Sequence, residues 1–323
     1  MVEGTRAAVM AVRHGATRAT PTWWADAWRR IKRHWELYLI FLLPLAHLLL
    51  FRYVPMYGVQ IAFRDFTITK GITNSPWVGL KYFYQFFRAY EFRRVLLNTV
   101  GISFLSIALG FPVPIILALA LNECRAGWFK KLVQMVTYAP YFISTVVMVG
   151  MILLFLSMNG SLNRFIVLFG GQATNFMGKP EYFKMIYVLT GIWQGAGYGA
   201  VIYLAALAAV DPQLHEAAII DGANKLQRIW YIDIPGILPT ATIVLILNFG
   251  HIMNVGFEKI FLLQNPINMR TSDVISTYVY RLGLVGAQYS FGAAVGLFNS
   301  VVNLILLVLV NQIARRFSET SLW

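Results

Sequence analysis

Six long apolar stretches alternate with polar ones along the chain. Crossing a bilayer as a helix takes roughly 20 such residues. The first predicted span runs from about Leu37 to Phe51, with the short core YLIFLLPLAHLLLF. The others run from about Thr99 to Leu121, Val136 to Met158, Ile186 to Val210, Ile237 to Leu263 and Phe291 to Ile313. The pattern predicts an all-α membrane protein with six transmembrane helices. Pro44, Pro112, Pro114 and Pro140 fall inside spans or at their edges. Prolines are tolerated there when neighbouring helices satisfy the freed carbonyls. Before the first span, Trp24, Trp28, Ile31 and Trp35 recur at helical spacing, with Arg29, Arg30, Lys32 and Arg33 between them. This predicts an amphipathic helix lying on the membrane surface. Residues 1–36 are therefore read as a cytoplasmic N-terminal segment and 37–323 as the transmembrane domain. No apolar run precedes Tyr38, so the segment has no signal-peptide pattern and is expected to be retained.

Orientation rests on charge close to span ends, which sets topology more than loop totals do. Arg29 to Arg33 stand just before the first span, and Arg315 and Arg316 just after the last. Both termini are thus expected in the cytoplasm. The inner loops are then about 122–135 and 211–236, and the outer segments about 52–98, 159–185 and 264–290.

Composition sharpens this picture. The chain has 323 residues, 58% hydrophobic, with mean hydropathy +0.61 and only 13% charged. A soluble domain carries about 25% charged residues. The net charge of +13 points, in so apolar a chain, to anionic lipid or an acidic solute rather than to nucleic acid. The outer segments hold only Asp65, Glu91, Glu181 and Asp273 as acids, against many Lys and Arg. Arg52, Arg64, Lys81, Arg88, Arg93 and Arg94 would make the outer mouth electropositive. The one cysteine, Cys124, excludes an intrachain disulfide.

The most informative stretch is the inner loop 211–239, DPQLHEAAIIDGANKLQRIWYIDIPGILP. It predicts two short helices with a bend. Asp211 can cap the first, with Pro212 at the first helical position, where its missing N–H costs nothing. Gly222 fits the left-handed residue that ends a helix. Asn224 can cap the second helix, and Pro235 is expected to close it. Leu214, Ala217, Ala218 and Ile220 give a face of small and apolar residues that another surface could approach closely.

Glu216-Ala217-Ala218, three residues, Gly222, nine residues, then Ile232-Asp233-Ile234-Pro235 resembles the EAA loop of binding-protein-dependent importer permeases. Ile234 stands where that family more often has Leu. VPMYGVQIAFRDF, LNTVGISF, NVGFEKIFLL and DVISTYVYRLGL extend the resemblance, over Trp35 to the end, to maltose-type carbohydrate-uptake permeases of the polysaccharide and oligosaccharide branch. Permeases of alginate importers are similar. The resemblance implies a type I ABC importer permease fold with a cytoplasmic coupling loop in a bacterial inner membrane. Its coupling residues would be Glu216, Ala217, Ala218, Asp221, Gly222, Ile232 and Pro235. It implies a second, different permease, two copies of a cytoplasmic ATPase and an external solute-binding protein. The cargo would be an oligo- or polysaccharide, acidic and alginate-like. No cofactor is expected in this chain, since ATP and Mg would bind the partner ATPase.

Other chemistry finds weaker support. Gly171 to Lys179 has six residues between its glycines, where a P-loop needs four, and Pro180 follows the lysine. The His and Cys positions show no metal-ligand spacing. Trp193, Gln194 and Tyr198 in the fourth span, with Asn248, Asn254 and Glu258 in the fifth, are candidates to line a sugar pathway. Amides meet hydroxyls, and aromatic rings meet C–H faces; a charge inside a span usually faces a cavity. Two other classes are alternatives, and the sequence shows the features of neither. An ion-coupled secondary transporter would show repeated, broken-helix halves. A membrane enzyme would need a nucleophile–base or paired-carboxylate constellation in the spans. A neutral oligosaccharide is the alternative cargo.

Overall fold

The computed structural model describes residues 23–124 and 127–317, with side chains for 27–28, 30–124 and 127–316. Most of the N-terminal segment, the inner-loop residues 125–126 and the extreme C-terminus lie outside the described residues, as do the side chains of Trp24 and Arg29. Among the described residues six helices are long and apolar enough to cross a membrane: Trp35–Phe63, Phe92–Glu123, Thr145–Leu168, Pro180–Ala208, Lys225–Gly250 and Tyr289–Arg316. They are called the first to sixth spans below. The one β-pairing among these residues is an isolated antiparallel bridge between Arg64 and Trp77.

The chain divides into two compact units, Met1–Val59 and Gln60–Trp323. In the first, the helix Trp23–Arg33 ends at His34 and a new one runs from Trp35 to Leu48. Pro44 lies inside that helix, and none of its residues is buried in this chain. Trp28 and Trp35 are exposed. The Lys32 ammonium sits 6.0 Å from the centre of the Trp28 ring.

In the second unit, side-chain size sets how closely helices pack. Ala118, Ala200, Tyr203, Leu207, Ile237 and Ala241 form one buried cluster joining the second, fourth and fifth spans. Small residues let helix backbones approach. Gly197 shows this at its extreme: a Cβ there would stand 2.0 Å from the backbone oxygen of Thr137. Larger side chains fill a second cluster, in which Ile102, Met148, Ile152, Phe183, Ile260 and Val274 are buried together. A third gathers Phe86, Val95, Met253, Ile275, Tyr278 and Phe291.

Two predicted spans are interrupted where the apolar run reads as continuous. The third is not one helix from Val136. A separate helix, Trp128–Tyr138, gives way to a tight turn at Ala139–Phe142, and a new helix starts at Thr145. Pro140 cannot donate to the ladder. The Ser144 side chain caps the new helix by accepting from the Val147 N–H. The fifth span stops at Gly250, and Phe257–Leu263 is a short separate helix. Gly250, Asn254 and Gly256 punctuate what reads as a continuous apolar run. Glu258 therefore sits in the first turn of that short helix, not inside a span.

Asp273 staples the outward-predicted loops to the second span. It is fully buried, and its carboxylate accepts from Arg281 at 2.8 Å, Arg94 at 3.3 Å and the Thr277 hydroxyl at 3.0 Å. Asn98 donates to the carbonyls of Arg270 and Asp273, and Ile275 N–H donates to Thr99 Oγ1. The hydrogen bonds to Asp273 hold Arg281 above the usual guanidinium range. The motifs LNTV and DVISTY thus meet in one polar junction.

Candidate coupling loop and transmembrane cavity

The loop after the fourth span is built from local turn chemistry. Asp211 caps the helix Pro212–Ile220, its carboxylate accepting from Gln213 N–H at 2.9 Å. The helix ends in a Schellman arrangement: Ala223 N–H reaches Ala218 O at 2.8 Å and Gly222 N–H reaches Ile219 O at 3.1 Å. Gly222 has φ +80°, the left-handed value that closure requires. Asn224 then opens Lys225–Arg228 with a capping box, exchanging bonds with Gln227. Pro235 does not close this second helix. The chain stays helical from Lys225 to Gly250 by widening into a π turn at Ile229–Asp233. A π turn shifts the hydrogen-bond ladder by one residue, which accommodates a proline without an N–H just beyond it.

Glu216, Ala217, Asp221, Gly222 and Pro235 are exposed, while Ala218 and Ile232 are half-buried. Leu214, Ile219, Ile220, Leu226, Trp230 and Tyr231 are exposed as well, Ile220 at 86%.

Charge pairs underpin the loop. His215 Nε2 stands 3.4 Å from Asp233 Oδ1, and Asp233 is 1% exposed. Glu123, at the end of the second span, faces Lys225 at 3.7 Å and Arg228 at 4.0 Å. Sequence reading missed both contacts. His215 reads from sequence as a contact residue or a solvated side chain, and nothing local announces a partner 18 residues on.

A cavity of about 850 Å³ opens among the second, fourth and fifth spans and the short helix Phe257–Leu263. Of the sequence candidates, Gln194, Tyr198, Asn248 and Glu258 line it. Trp193 does not. It lies one residue round the fourth span, in an apolar cavity of about 630 Å³ between the third and fourth spans. Asn254 lines neither; its side-chain oxygen accepts from Asn299 at 2.9 Å. Sequence reading did not anticipate Ser106, Thr145, Tyr187 or Lys259 in the main cavity. Tyr198 stacks on Tyr141 with ring centres 4.0 Å apart. Lys259 is 8% exposed and donates to the Tyr187 carbonyl at 3.2 Å.

Several basic residues of the predicted outer segments hold structure rather than open surface. Arg64 donates to the carbonyls of Thr73 and Ser75 at 3.0 and 2.9 Å and lies 5.7 Å from the Trp77 ring centre. Lys81 pairs with Asp65 at 3.9 Å. Asp65 also accepts a hydrogen bond from Tyr82, whose hydroxyl is pushed up to about 12, first by burial and then by that carboxylate. Arg94 is held by Asp273. Among the described residues no group of three or more His, Cys, Asp and Glu side chains could hold a metal.

Three kinds of relative share this architecture. The sequence profile described as "Binding-protein-dependent transport system inner membrane component" matches residues 110–319. The polygalacturonan/rhamnogalacturonan transport system permease protein YteP of Bacillus subtilis (strain 168) is 44% identical over 89% of this chain and 90% of its own length. The protein LplB of the same organism is 40% identical over 91% of this chain and 92% of its own. A chain in the crystal structure of a bacterial ABC transporter involved in the import of the acidic polysaccharide alginate superposes with a TM-score of 0.84. It is 41% identical, and the match covers 91% of this chain and 99% of that one. A chain of a bacterial alginate ABC transporter in complex with an alginate pentasaccharide-bound periplasmic protein matches equally well, at 40% identity. Six apolar helices, an exposed loop between the fourth and fifth, and these relatives agree: the chain belongs to the inner membrane components of binding-protein-dependent transport systems and is a multi-pass permease subunit of an ABC importer.

Proposed function

We propose that this permease takes up an acidic oligo- or polysaccharide of the uronate type, delivered by a solute-binding protein. The observation that carries the reading is the match to the alginate transporter over 91% of the chain. The relative named for polygalacturonan and rhamnogalacturonan supports it, because those polymers, like alginate, are built on uronic acids.

In this reading the chain pairs with a second, homologous permease, and two copies of a cytoplasmic ATPase supply the ATP hydrolysis. ATP and Mg bind those partners, not this chain. Both termini face the cytoplasm. The exposed helix Pro212–Ile220, with Glu216, Ala217, Ala218, Asp221 and Gly222, docks on the ATPase, and Ile232 and Pro235 fix the root of the loop. Its exposed apolar side chains support that role. Closure of the ATPase pair turns the permease pair outward, and hydrolysis resets it, as rigid-body alternating access. The saccharide passes Gln194, Tyr198, Asn248 and Glu258, where amides meet hydroxyls and the Tyr198 ring meets sugar C–H faces.

The test is substrate-stimulated ATPase activity of the assembled complex with its binding protein, given uronate oligomers or neutral maltodextrins. Stimulation by the uronates is expected. Stimulation by the neutral sugars alone would overturn the acidic cargo and leave the importer intact.

A further inference from the structure

Three charged side chains are at least nine-tenths buried in the described structure: Asp233, Asp273 and Lys259. Two have opposite charges or a potential one beside them. Asp273 faces Arg94 and Arg281, and Asp233 faces His215. Lys259 has none; among the described residues no carboxylate lies within 4.0 Å of its ammonium. Its contacts are the Tyr187 carbonyl at 3.2 Å and the Tyr187 ring, whose centre is 5.0 Å away. An ammonium has three N–H donors. Burying it without a counter-ion is costly, and buried charges in membrane proteins are retained where they face a pathway.

The position of the ammonium fits this. Lys259 lines the 850 Å³ cavity, and Gly191 leaves the fourth span bare beside it: a Cβ there would stand 3.5 Å from Nζ. Glu258 lines the same cavity but is exposed to water. Successive residues on a helix do not face each other, so Glu258 does not neutralise its neighbour. Among the described residues Glu258 and Lys259 are the only charged groups on this lining; the other polar contributors are amides and hydroxyls.

We propose that Lys259 is the specificity-determining cation of the pathway, taking the carboxylate of an acidic sugar unit as its counter-ion inside the cavity. This rests on the acidic-saccharide reading above. One fixed cation among neutral groups suits a cargo that must also leave. A lining of many cations would hold a polyanion too tightly.

The test uses the complete importer in proteoliposomes with its binding protein. Uptake of uronate oligomers is measured for the unaltered complex, Lys259→Arg, Lys259→Gln and Lys259→Met. Neutralising the ammonium should lower uptake about tenfold or more, the scale of a lost charge-assisted hydrogen bond. Lys259→Arg should keep most of it. Lys259→Met fills similar space without charge, so complex assembly and Tm should hold or improve; a drop in Tm with Met, restored by Arg, would assign Lys259 a structural role and overturn the proposal. Normal uronate uptake by Lys259→Met or Lys259→Gln would overturn it too, while leaving the acidic cargo standing. If the unaltered complex takes up only neutral sugars, both readings fall together.

Discussion

Gly222→Val tests the backbone geometry of the coupling loop. Gly222 has φ +80°, and a Cβ built there meets nothing within 4 Å. A Cβ there therefore adds no clash within the chain, and the effect on the loop itself is backbone strain. Holding an L-residue in the left-handed region costs about 1–2 kcal/mol, and a β-branched side chain lies at the upper end. The chain can escape that strain only by releasing the two bonds that close the helix, Ala223 to Ala218 and Gly222 to Ile219. Each contributes about 0.5–1.5 kcal/mol, so escape costs about as much as endurance. Pro212–Ile220 has nine residues, too few to persist without its ends fixed. A loss of 1–2 kcal/mol thins the docking-competent form by a factor of about 5–30. Transport per ATP hydrolysed in the reconstituted complex should fall on that scale, while the amount of folded permease in the membrane stays normal. Gly222→Asn, which tolerates positive φ, should recover most of the coupling. Normal coupling in Gly222→Val would refute the reasoning, and so would equal loss in the Asn variant.

Three further outcomes follow from particular contacts. Cys124, half-buried at the end of the second span, should resist an impermeant thiol reagent in spheroplasts and react, if at all, in inverted vesicles; labelling from outside would reverse the proposed topology. Gly197→Ala must separate the fourth span from Thr137, where the added carbon would otherwise sit 2.0 Å from a backbone oxygen. A cost of about 1–3 kcal/mol should appear as a lower Tm in detergent, whereas Gly150→Ala, with open space around it, should not lower Tm. Asp273→Ala strands two arginines that remain partly exposed to water. It should cost about 1–3 kcal/mol and lower Tm, with Asp273→Asn less severe.

What was legible in the sequence was what neighbours in sequence decide. Asp211, Gly222 and Asn224 could be assigned as caps and a left-handed stop because each acts within three residues of itself. The apolar runs marked the six spans because length and hydropathy suffice for that. Their ends were not legible where two signals compete. Pro140 reads equally as a tolerated kink or a stop, and only Ser144 capping a new helix settles it as a stop. Pro235 reads as a terminator, yet the π turn before it carries the helix on. The cavity was half legible. Gln194, Tyr198 and Asn248 stand out as polar groups in apolar spans, but one residue's difference in helical phase turns Trp193 into the neighbouring cavity. Lys259 was obscured because HIMNVGFEKIFLL reads as a span running out toward water, whereas the helix ends at Gly250 and a separate short helix holds that lysine buried.

These placements bear on how a push at the loop could reach the cargo. On the proposed reading the ATPase moves the helix Pro212–Ile220, which a flexible tether would not transmit. His215 and Asp233 join that helix to the root of the fifth span, and Glu123 joins the end of the second span to Lys225 and Arg228. The fifth span is helical without interruption from Lys225 to Gly250. Asp233 and Asn248 are fifteen residues apart, about 22 Å along a helix. A displacement at Asp233 therefore arrives at Asn248 through one continuous helix rather than a chain of loops. The same push reaches Gly110 and Pro114 through the second span, and both line the cavity. The second span steps at Phe111, just before Pro112, and the fifth carries Pro239 inside its helix, between Asp233 and Asn248. A proline in each wall between the loop and the cavity gives each a place to bend, so on this reading a small movement at the loop opens the cavity instead of translating it whole.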